Sequence, residues 1–501
     1  MELCRFRFIF PIFFLLSLLG CASLSTRPIP ITSNSVEGCQ AFFSQMEDSV
    51  KEAGVREASS VLISRFPYLR TNRFLSALKH RIKEEKQRDQ WLQWMRTLDL
   101  EAREKEISNL SDERVLSLQA IETVQPNRRE VRARIEFCSK KLFHHDKTLP
   151  NFNTLLASND EVPDEYSLWR RAIGFYPLMV IPVAIATHNA QVKSRSWFET
   201  SLDDLPMTGQ LRTYVPSENL FLDEKTIQEI MDQFRKNPLD VPLPDETQGK
   251  KLAWSFAPVI VQDIAALYDR IGKVLWKDDH LKTDSETPVV YYYFSHAFLK
   301  EKPILQINYV IWYSERAGRM PPSIEKGHMD GLTLRVSLDP QGRPFMTDVM
   351  NNCGCYHLFA PAKEQIERIV SKPLKPDPYV PQWLPVIPSG NRLGIRVNSG
   401  WHQVERIVAI GESPDSIPYE LLPYGDLETL PHGDGRTESI FDGKGIVKGS
   451  QRPERFILFS MGIPQIGSMR QRGHHAIDLI GRIHFDDPNL FDDDFIFKET
   501  E

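Results

Sequence analysis

A histidine and an aspartate stand two positions apart in the segment Gly327-His328-Met329-Asp330-Gly331, just before an apolar stretch typical of a β-strand. Because side chains alternate between the two faces of a strand, His328 and Asp330 are expected to point the same way. An imidazole beside a carboxylate can bind a divalent metal or act as a base with its orienting acid. We therefore treat both as candidate catalytic and metal-binding residues. The alternative is a polar turn with an exposed histidine.

Two cysteines and a histidine follow at alternate positions, Cys353, Cys355 and His357. Two thiolates and an imidazole suit zinc or a similar metal, but an extended chain would place positions 353 and 357 about 13 Å apart. A shared ion therefore requires a bend at Gly354. A disulfide between Cys353 and Cys355 needs the same bend, and so small a ring would be easily reduced, as in a redox site. The third interpretation is that Cys353 and Cys355 are structural thiols that take part in no chemistry.

A further histidine, His402, follows an expected strand at residues 392–398. Together with His328 and Asp330 it resembles the His-x-Asp and distal His of the double-stranded β-helix iron oxygenases. That resemblance implies an iron site and 2-oxoglutarate as co-substrate. The co-substrate arginine of that family is missing, because position 412 is Glu and Arg406 lies too early.

Two hypotheses of function follow. The first is an enzyme or metal-binding protein whose metal, a divalent transition ion, polarises substrate or water. Its site would gather six side chains: His328, Asp330, Cys353, Cys355, His357 and His402. The second is a non-catalytic binding or scaffolding protein whose cysteines serve stability. The sequence contains no Walker loop, no Rossmann glycine fingerprint, no Gly-x-Ser-x-Gly and no His-Glu-x-x-His.

All these residues fall in residues 161–501, where prolines are frequent and apolar segments are short and rich in β-branched and aromatic residues. This texture predicts a mainly antiparallel β domain with a few helices. The segments that read as strands are Val289–Phe298, Pro303–Tyr313, Leu332–Leu338, Gly394–Asn398 and Arg455–Met461. Helices are expected at Asp263–Leu275 and Lys363–Val370.

One segment of this region, Ala172–Thr187, is apolar over 16 residues and contains Pro177 and Pro182. A helix of that length rises only about 24 Å, less than the hydrocarbon core of about 30 Å, and proline disfavours a helix interior. The segment is therefore not expected to span a membrane. We expect a buried connector or a pair of strands. The alternative is a shallow dip into a membrane.

Residues 36–160 carry helical periodicity and form the predicted N-terminal domain of an α+β protein. A first helix should end at Gly54, and a long helix capped by Thr71 or Asn72 should continue past Trp91. Asn127 should begin another helix. This bundle would act as a scaffold or as a module that docks an envelope protein partner.

The helical spacing also pairs two cysteines. Cys39 shares a stripe with Phe43 and Met46, and Cys138 shares one with Ile135 and Leu142, so each thiol should face a helix interface. In an oxidising compartment we expect a Cys39–Cys138 disulfide. Two buried free thiols are the alternative.

The N-terminus indicates such a compartment. Arg5 and Arg7 precede an apolar run, Phe8–Leu19, that is too short to span a bilayer and is typical of a signal peptide. The run ends in Leu18-Leu19-Gly20-Cys21, which resembles the lipobox of bacterial lipoproteins. The resemblance covers only the first 21 residues.

This resemblance implies that residues 1–20 are removed and that Cys21 carries acyl chains, followed by a tether over 21–35. More than one acyl chain gives stable membrane anchoring. Ala22 after the cysteine resembles the pattern for sorting to the outer membrane, facing the periplasm. The expected location is therefore the bacterial cell envelope, with the membrane as a partner.

The composition excludes other classes. Of the 501 residues, 41% are hydrophobic and 26% charged, proportions that suit a folded globular chain of about two domains. The formal net charge is −6, without the clustered basic face that binding to phosphate backbones requires. Nucleic acid is therefore not an expected partner.

Overall fold

The computed structural model of the chain describes residues 34–118, 127–371, 376–411 and 413–499. Cys21, the expected signal peptide and all but the last two residues of the expected tether lie outside these ranges. Among the described residues, no helix combines the length and the hydropathy needed to cross a bilayer.

The described chain is an α+β protein, as the sequence predicts: a helical region comes first, and a large sheet with several helices follows. The helices are α1 Val36–Ala53, α2 Arg73–Leu78, α3 Glu85–Asn109, α4 Asp112–Ser117, α5 Arg128–Lys147, α6 Phe152–Ala157, α7 Leu168–Ile173, α8 Tyr176–Glu199, α9 Glu224–Phe234, α10 Glu246–Ser255, α11 Glu454–Ile457 and α12 Leu490–Asp494. The short strands β1 Val61–Leu62 and β2 Arg70–Thr71 pair within the helical region.

The remaining strands belong to the larger region. They are β3 Gln210–Pro216, β4 Val259–Ile264, β5 Lys273–Lys277, β6 His280–Asp284, β7 Val289–Leu299, β8 Lys302–Arg316, β9 Gly327–Leu338, β10 Pro344–Asn351, β11 Leu358–Pro361, β12 Ile366–Ile369, β13 Arg392–Val397, β14 Val404–Ile410, β15 Ile417–Pro423, β16 Leu430–Pro431, β17 Thr437–Glu438 and β18 Phe495–Phe497. Ten of them form one sheet in the order β11-β10-β9-β8-β7-β15-β3-β4-β13-β14.

Most neighbours in this sheet are antiparallel, as expected, and β15 and β13 add parallel pairs with β7, β3 and β4. Both faces are buried. On β8, Tyr309 and Ile311 pack toward α9 and α10, whereas Val310 and Trp312 pack under segments from the C-terminal part of the chain. This alternation follows from the two-residue period of a strand. The β8–β9 pair therefore lies at the centre of the protein.

Helix ends in the first region follow the sequence. Ser35 and Asn127 accept backbone N–H groups at the starts of α1 and α5, and Gly54 ends α1 with a left-handed conformation at φ 67°. These two helices pack together, and the structure pairs Cys39 with Cys138 in a disulfide at a Cα separation of 5.1 Å. Both cysteines are fully buried. Their helical spacing is what favoured this pairing.

The expected single long helix is wrong, because the chain leaves helical geometry at Ile82 (ψ 118°). Asn72 caps only the short α2. A new helix, α3, starts after Glu84, whose backbone N–H donates to the Gln87 side chain at 3.1 Å. Local side-chain capping overrides the continuous apolar periodicity here.

Three expectations in the β region are also wrong. The predicted helix at Asp263–Leu275 is instead the end of β4, a short turn and β5, because Asp263 and Asp269 accept backbone N–H groups of neighbouring turns. The predicted helix at Lys363–Val370 contains β12, which pairs with β18. The predicted strand at Arg455–Met461 is α11 followed by a 3-10 turn. For β12, non-local strand pairing overrides the local pattern.

The apolar segment Ala172–Thr187 is neither buried nor extended. It forms the end of α7 and the first half of α8, with Pro182 inside α8, and most of its apolar side chains are exposed. Pro177 fits because it lies in the first turn, where no backbone donor is needed.

The two regions are joined by a common interior. Leu239, Val241 and Phe298 complete the hydrophobic core of the helical region. A polar link runs beside it: the Gln471 side chain donates to Glu57 at 2.9 Å and to Glu428 at 2.8 Å, and all three residues are buried. The helical region is therefore packed against the sheet region through both apolar and charged contacts.

Replacing both Cys39 and Cys138 with alanine should lower the free energy of unfolding by about 2–5 kcal/mol, because the bridge closes a long loop. The bridged residues are 99 positions apart. Denaturant-induced unfolding of the double variant against the parent chain measures this. The matched control is Cys353→Ala with Cys355→Ala, which keeps the bridge. Equal unfolding midpoints for the parent and the Cys39/Cys138 variant would contradict the prediction.

Candidate functional site

The centre of the candidate site is a buried carboxylate. Asp330 on β9 is fully buried, and its two oxygens accept from Nε and Nη2 of Arg316, each at 3.0 Å. Arg316 lies at the end of β8, the neighbouring strand. Burial is the largest effect and would raise the pKa of Asp330, but the charges and hydrogen bonds of Arg316 and His402 together outweigh burial, so the pKa is lowered. Asp330 is therefore an anion paired in a low-dielectric environment.

His402 adds a second cation to Asp330. It lies between β13 and β14 at φ 53°, and its ring stacks on that of Tyr313 at 3.8 Å. Nδ1 lies 2.7 Å from Asp330 and Nε2 lies 3.2 Å from Asp269. Burial lowers the pKa of His402, but the hydrogen bonds to Asp269 and Asp330 outweigh it, so the pKa is raised. Both ring nitrogens are used as donors to carboxylates.

Arg316 extends this network toward the protein surface. Its Nη1 donates to Glu325 at 2.9 Å. Glu325 also accepts from the Tyr356 hydroxyl at 2.8 Å and from the Trp401 indole at 2.9 Å. All three guanidinium nitrogens of Arg316 therefore donate to the carboxylates of Asp330 and Glu325, and the side chain is only 3% exposed.

The two cysteines lie beside Arg316, in the loop between β10 and β11. Gly354 bends the chain at φ 88°, and a Cβ there would clash with the carbonyl oxygen of Ala476. The loop is closed by the backbone bond from Asn351 to the Cys355 carbonyl at 3.0 Å. The backbone N–H of Cys355 then donates to the Cys353 sulfur at 3.4 Å. The bend that a two-cysteine site requires is therefore present.

The two thiols have different surroundings. The Cys355 thiol donates a hydrogen bond to Cys353, and this bond, with the Arg316 charge, lowers the pKa of Cys353 to about 7 against the opposing effect of burial. The same hydrogen bond and burial raise the pKa of Cys355 well above its usual range. Cys353 is nearly buried, whereas Cys355 is partly exposed. The loop therefore combines a buried cysteine of lowered pKa with a partly exposed cysteine of raised pKa.

A carboxylic acid completes the surroundings of the thiols. Glu454 at the start of α11 is 5% exposed. Burial raises its pKa to about 8, and negative charge on Cys353 and Glu325 adds to this effect. Glu454 is therefore protonated at neutral pH and can supply a proton near the thiols.

His328 does not join Asp330, so that expectation is wrong. Met329 between them has φ 55°, which interrupts the alternation of the strand. His328 is exposed, and its ring hydrogen-bonds the backbone of Leu281. The pattern of iron-oxygenase ligands is therefore not assembled, because only Asp330 and His402 of its three residues meet.

His357 also lies apart from the thiols. Its Nε2 donates to Asp348 at 2.8 Å, and Asp348 is paired with Arg335 through contacts of 2.9 and 2.6 Å. The His357 ring packs on Phe359. His357 is therefore part of a second buried ion pair on the sheet.

The six predicted ligands are divided among separate places and do not converge on one ion. In the part of the chain that the structure describes, no group of three or more His, Cys, Asp or Glu side chains is arranged to hold a metal. The polar atoms of Asp330 and His402 are already hydrogen-bonded: the two side chains bond each other, Asp330 bonds Arg316, and His402 bonds Asp269. The six side chains therefore do not form the single site that the sequence suggested.

Sequence reasoning missed four residues of the site. Arg316, Glu325, Asp269 and Glu454 come from distant parts of the chain, and no short spacing links them to the cysteines. Only the pairing of β8 with β9 and the packing of α11 bring them together.

Comparison of the chain with protein-family models, with curated proteins and with solved structures found no match.

Protonated His402 should stabilise the fold at acidic and neutral pH. Its folded pKa lies above 6.5, so this contribution is complete below pH 6.5 and is lost as pH rises through the folded value. The unfolding free energy of the parent chain should therefore fall more steeply on the alkaline side than that of His402→Gln. The His402→Gln substitution should itself lower the free energy of unfolding by about 3–5 kcal/mol, because it breaks a buried ion pair.

Chemical denaturation at several pH values measures the difference between the two chains. NMR titration of the His402 ring in the parent gives its pKa directly if the variant does not fold. A ring pKa below 6.5 would contradict the prediction.

Proposed function

We propose that this protein is a lipid-anchored envelope protein that exchanges disulfides with other proteins through Cys353 and Cys355, and that it acts as the oxidant. The observation that carries the proposal is the bent Cys-Gly-Cys loop. It places Cys355, a partly exposed residue, next to the buried Cys353, whose pKa the Arg316 charge helps to lower.

The loop is firmly supported. Asn352 donates its backbone N–H to Gly331 at 2.8 Å and accepts from the Thr333 hydroxyl at 2.7 Å. Its side chain also donates to the Ile311 carbonyl at 3.2 Å. A rigid support of this kind keeps reacting atoms in place.

The first step begins from the Cys353–Cys355 disulfide. A thiolate of the partner attacks the Cys355 sulfur, because Cys355 is the more exposed residue of the pair. A bond forms between the partner and Cys355, the bond between Cys355 and Cys353 breaks, and Cys353 leaves as a thiolate. Thiols of low pKa leave faster, and Arg316 and the Cys355 backbone N–H stabilise the leaving thiolate.

The second step releases the partner. A second thiolate of the partner attacks the partner's own sulfur in the mixed disulfide, and Cys355 leaves. The raised pKa of Cys355 means that it takes a proton, for which Glu454 is the nearby acid. The partner has lost two electrons and two protons and holds a new disulfide, while Cys353 and Cys355 are reduced.

The direction of exchange follows from the stability of the reduced pair. A dithiol whose thiolate is stabilised by a cation and by hydrogen bonds makes its disulfide a stronger oxidant. Arg316 and the backbone N–H of Cys355 act on Cys353 in this way. The pair should therefore donate its disulfide.

The location rests on two supports. The first is the lipobox-like sequence that ends at Cys21. The second is the buried Cys39–Cys138 disulfide, because such bridges persist in oxidising compartments such as the periplasm. An envelope location also supplies secreted thiols as substrates.

In equilibrium with glutathione, the Cys353–Cys355 pair should have a reduction potential above about −200 mV, in the range of oxidising proteins. Mass spectrometry after alkylation of each thiol measures the oxidised fraction. The Cys39–Cys138 bridge is a matched control within the same molecule, since both of its sulfurs are buried, and it should stay oxidised. A variant with Cys353→Ser should trap glutathione on Cys355. Failure of the pair to oxidise, or a potential below about −270 mV, would sink the proposal.

The reduced protein should show a thiolate that titrates near pH 7, which is the Cys353 thiol. Replacing Cys355 with alanine removes the hydrogen bond that contributes most to this low pKa, so the midpoint should move upward. Ultraviolet thiolate absorbance against pH measures both midpoints. In the matched Cys353→Ala variant the low midpoint should vanish. A parent midpoint near the ordinary thiol value of about 8.5 would contradict the assignment.

A further inference from the structure

An apolar helical hairpin projects from the sheet region. It comprises α7, the connection at Gly174 and Phe175, and the first half of α8. Its large apolar side chains are exposed, with Phe175 at 70% and Leu178 at 68%. The others are Leu168, Trp169, Ile173, Met179, Ile181 and Ile185. An exposed apolar surface of this extent marks an interaction site.

The distribution of these side chains distinguishes between partners. Met179 and Ile181 are both exposed, and at about 100° per residue they lie on opposite faces of α8. One side of α8 packs on the body, since Val180, Val183 and Ala184 are half-buried, and the exposed apolar side chains cover the remaining half of its circumference. A helix that docks in a protein groove needs only one narrow apolar stripe, whereas an apolar surface this broad suits hydrocarbon. The hairpin therefore fits hydrocarbon better than a groove.

Charge is segregated along the same segment. From Ala172 to Val192 the chain contains no Asp, Glu, Lys or Arg. Basic residues flank it at both ends: Arg170, Arg171, Lys193 and Arg195. Cations at the edge of an apolar segment complement anionic lipid headgroups.

A second element extends this apolar surface. The 3-10 turn Phe459–Met461 packs against α7 and α8 and follows directly on α11. Phe456 and Ile457 on α11 are 73% and 56% exposed. The same short helix begins with Glu454, the acid beside the thiols.

The hairpin is fixed to the body at both ends. Ser167 donates its backbone N–H to Gly462 at 2.8 Å, and Arg171 donates to the carbonyl groups of Met461 and Gly481 at 2.9 and 2.7 Å. At the other end Trp197 is buried against Trp401. The exposed apolar part is therefore held outward from the body at a fixed place.

We infer that the α7–α8 hairpin and α11 insert into one leaflet of a lipid bilayer. The apolar part of α8, from Tyr176 to Ala186, rises about 16 Å, roughly half of a hydrocarbon core of about 30 Å. This depth gives a shallow insertion and not a span. Aromatic residues such as Trp169 and Phe456 suit the interface between headgroups and acyl chains. Insertion would orient the body on the membrane with α11 at the bilayer.

The inference stands apart from the thiol chemistry and from the acylation of Cys21. Its test uses the full chain in membranes of its host, with a photo-crosslinking residue at one position at a time. Met179→benzoylphenylalanine and Ile181→benzoylphenylalanine probe opposite faces of α8. The matched control is Val386→benzoylphenylalanine, because Val386 is 86% exposed and belongs neither to the hairpin nor to α11. Mass spectrometry identifies the adducts.

Both probes on α8 should give adducts with lipid acyl chains, and the control should give none. Adducts with another polypeptide at either α8 position, or the absence of lipid adducts at both, would overturn the inference. The same mass spectra also show which residue is the mature N-terminus and whether Cys21 is acylated. Lipid adducts on a chain whose Cys21 is not acylated would support insertion of the hairpin and contradict the lipid anchor. An acylated Cys21 without lipid adducts on α8 would support the anchor and contradict insertion of the hairpin.

Discussion

The anionic side chain of Asp330 is the group on which the geometry of the site depends. It is fully buried, and it is matched by Arg316 on one side and His402 on the other. A buried ion is tolerated only when its partners are close and hydrogen-bonded, so each member of this group restricts the others. Asp269 pairs with the far nitrogen of His402 and itself accepts the backbone N–H of Gly400 at 2.6 Å. The result is a rigid charged core in an apolar sheet.

This core determines the electrostatics of the thiol loop. Arg316 is anchored by Asp330 and Glu325, so its charge stays beside Cys353 whatever the state of the sulfur. A mobile surface cation would be screened by water and would stabilise a thiolate much less. The difference between the two cysteines therefore arises from the sheet that holds the arginine, and the loop adds only its bend and one backbone donor.

The thiol loop and the apolar hairpin are connected through a few shared residues. Trp401 packs on Trp197 at the end of α8 and donates to Glu325, which holds Arg316. On the other side, α11 carries both Glu454 and the exposed Phe456. A body held at a bilayer by this surface would meet its partners at or near the membrane.

The sequence by itself determined the features that depend on near neighbours. The caps at Ser35 and Asn127, the stop at Gly54 and the central strands β7 to β9 were predictable, because capping and the two-residue period act within a few positions. The pairing of Cys39 with Cys138 was favoured for the same reason, since helical periodicity shows which thiols face an interface.

Only the tertiary structure decided which residues meet. His328 was separated from Asp330 by one residue of positive φ, and His357 was drawn to Asp348 on the neighbouring strand. Arg316 and Glu454 reach Cys353 from different elements of the fold. A buried charge takes whatever partner the fold brings within hydrogen-bonding distance, and that partner is set by strand pairing and not by spacing along the chain. The exposure of α8 likewise depends on what packs around it, which apolar composition alone does not specify.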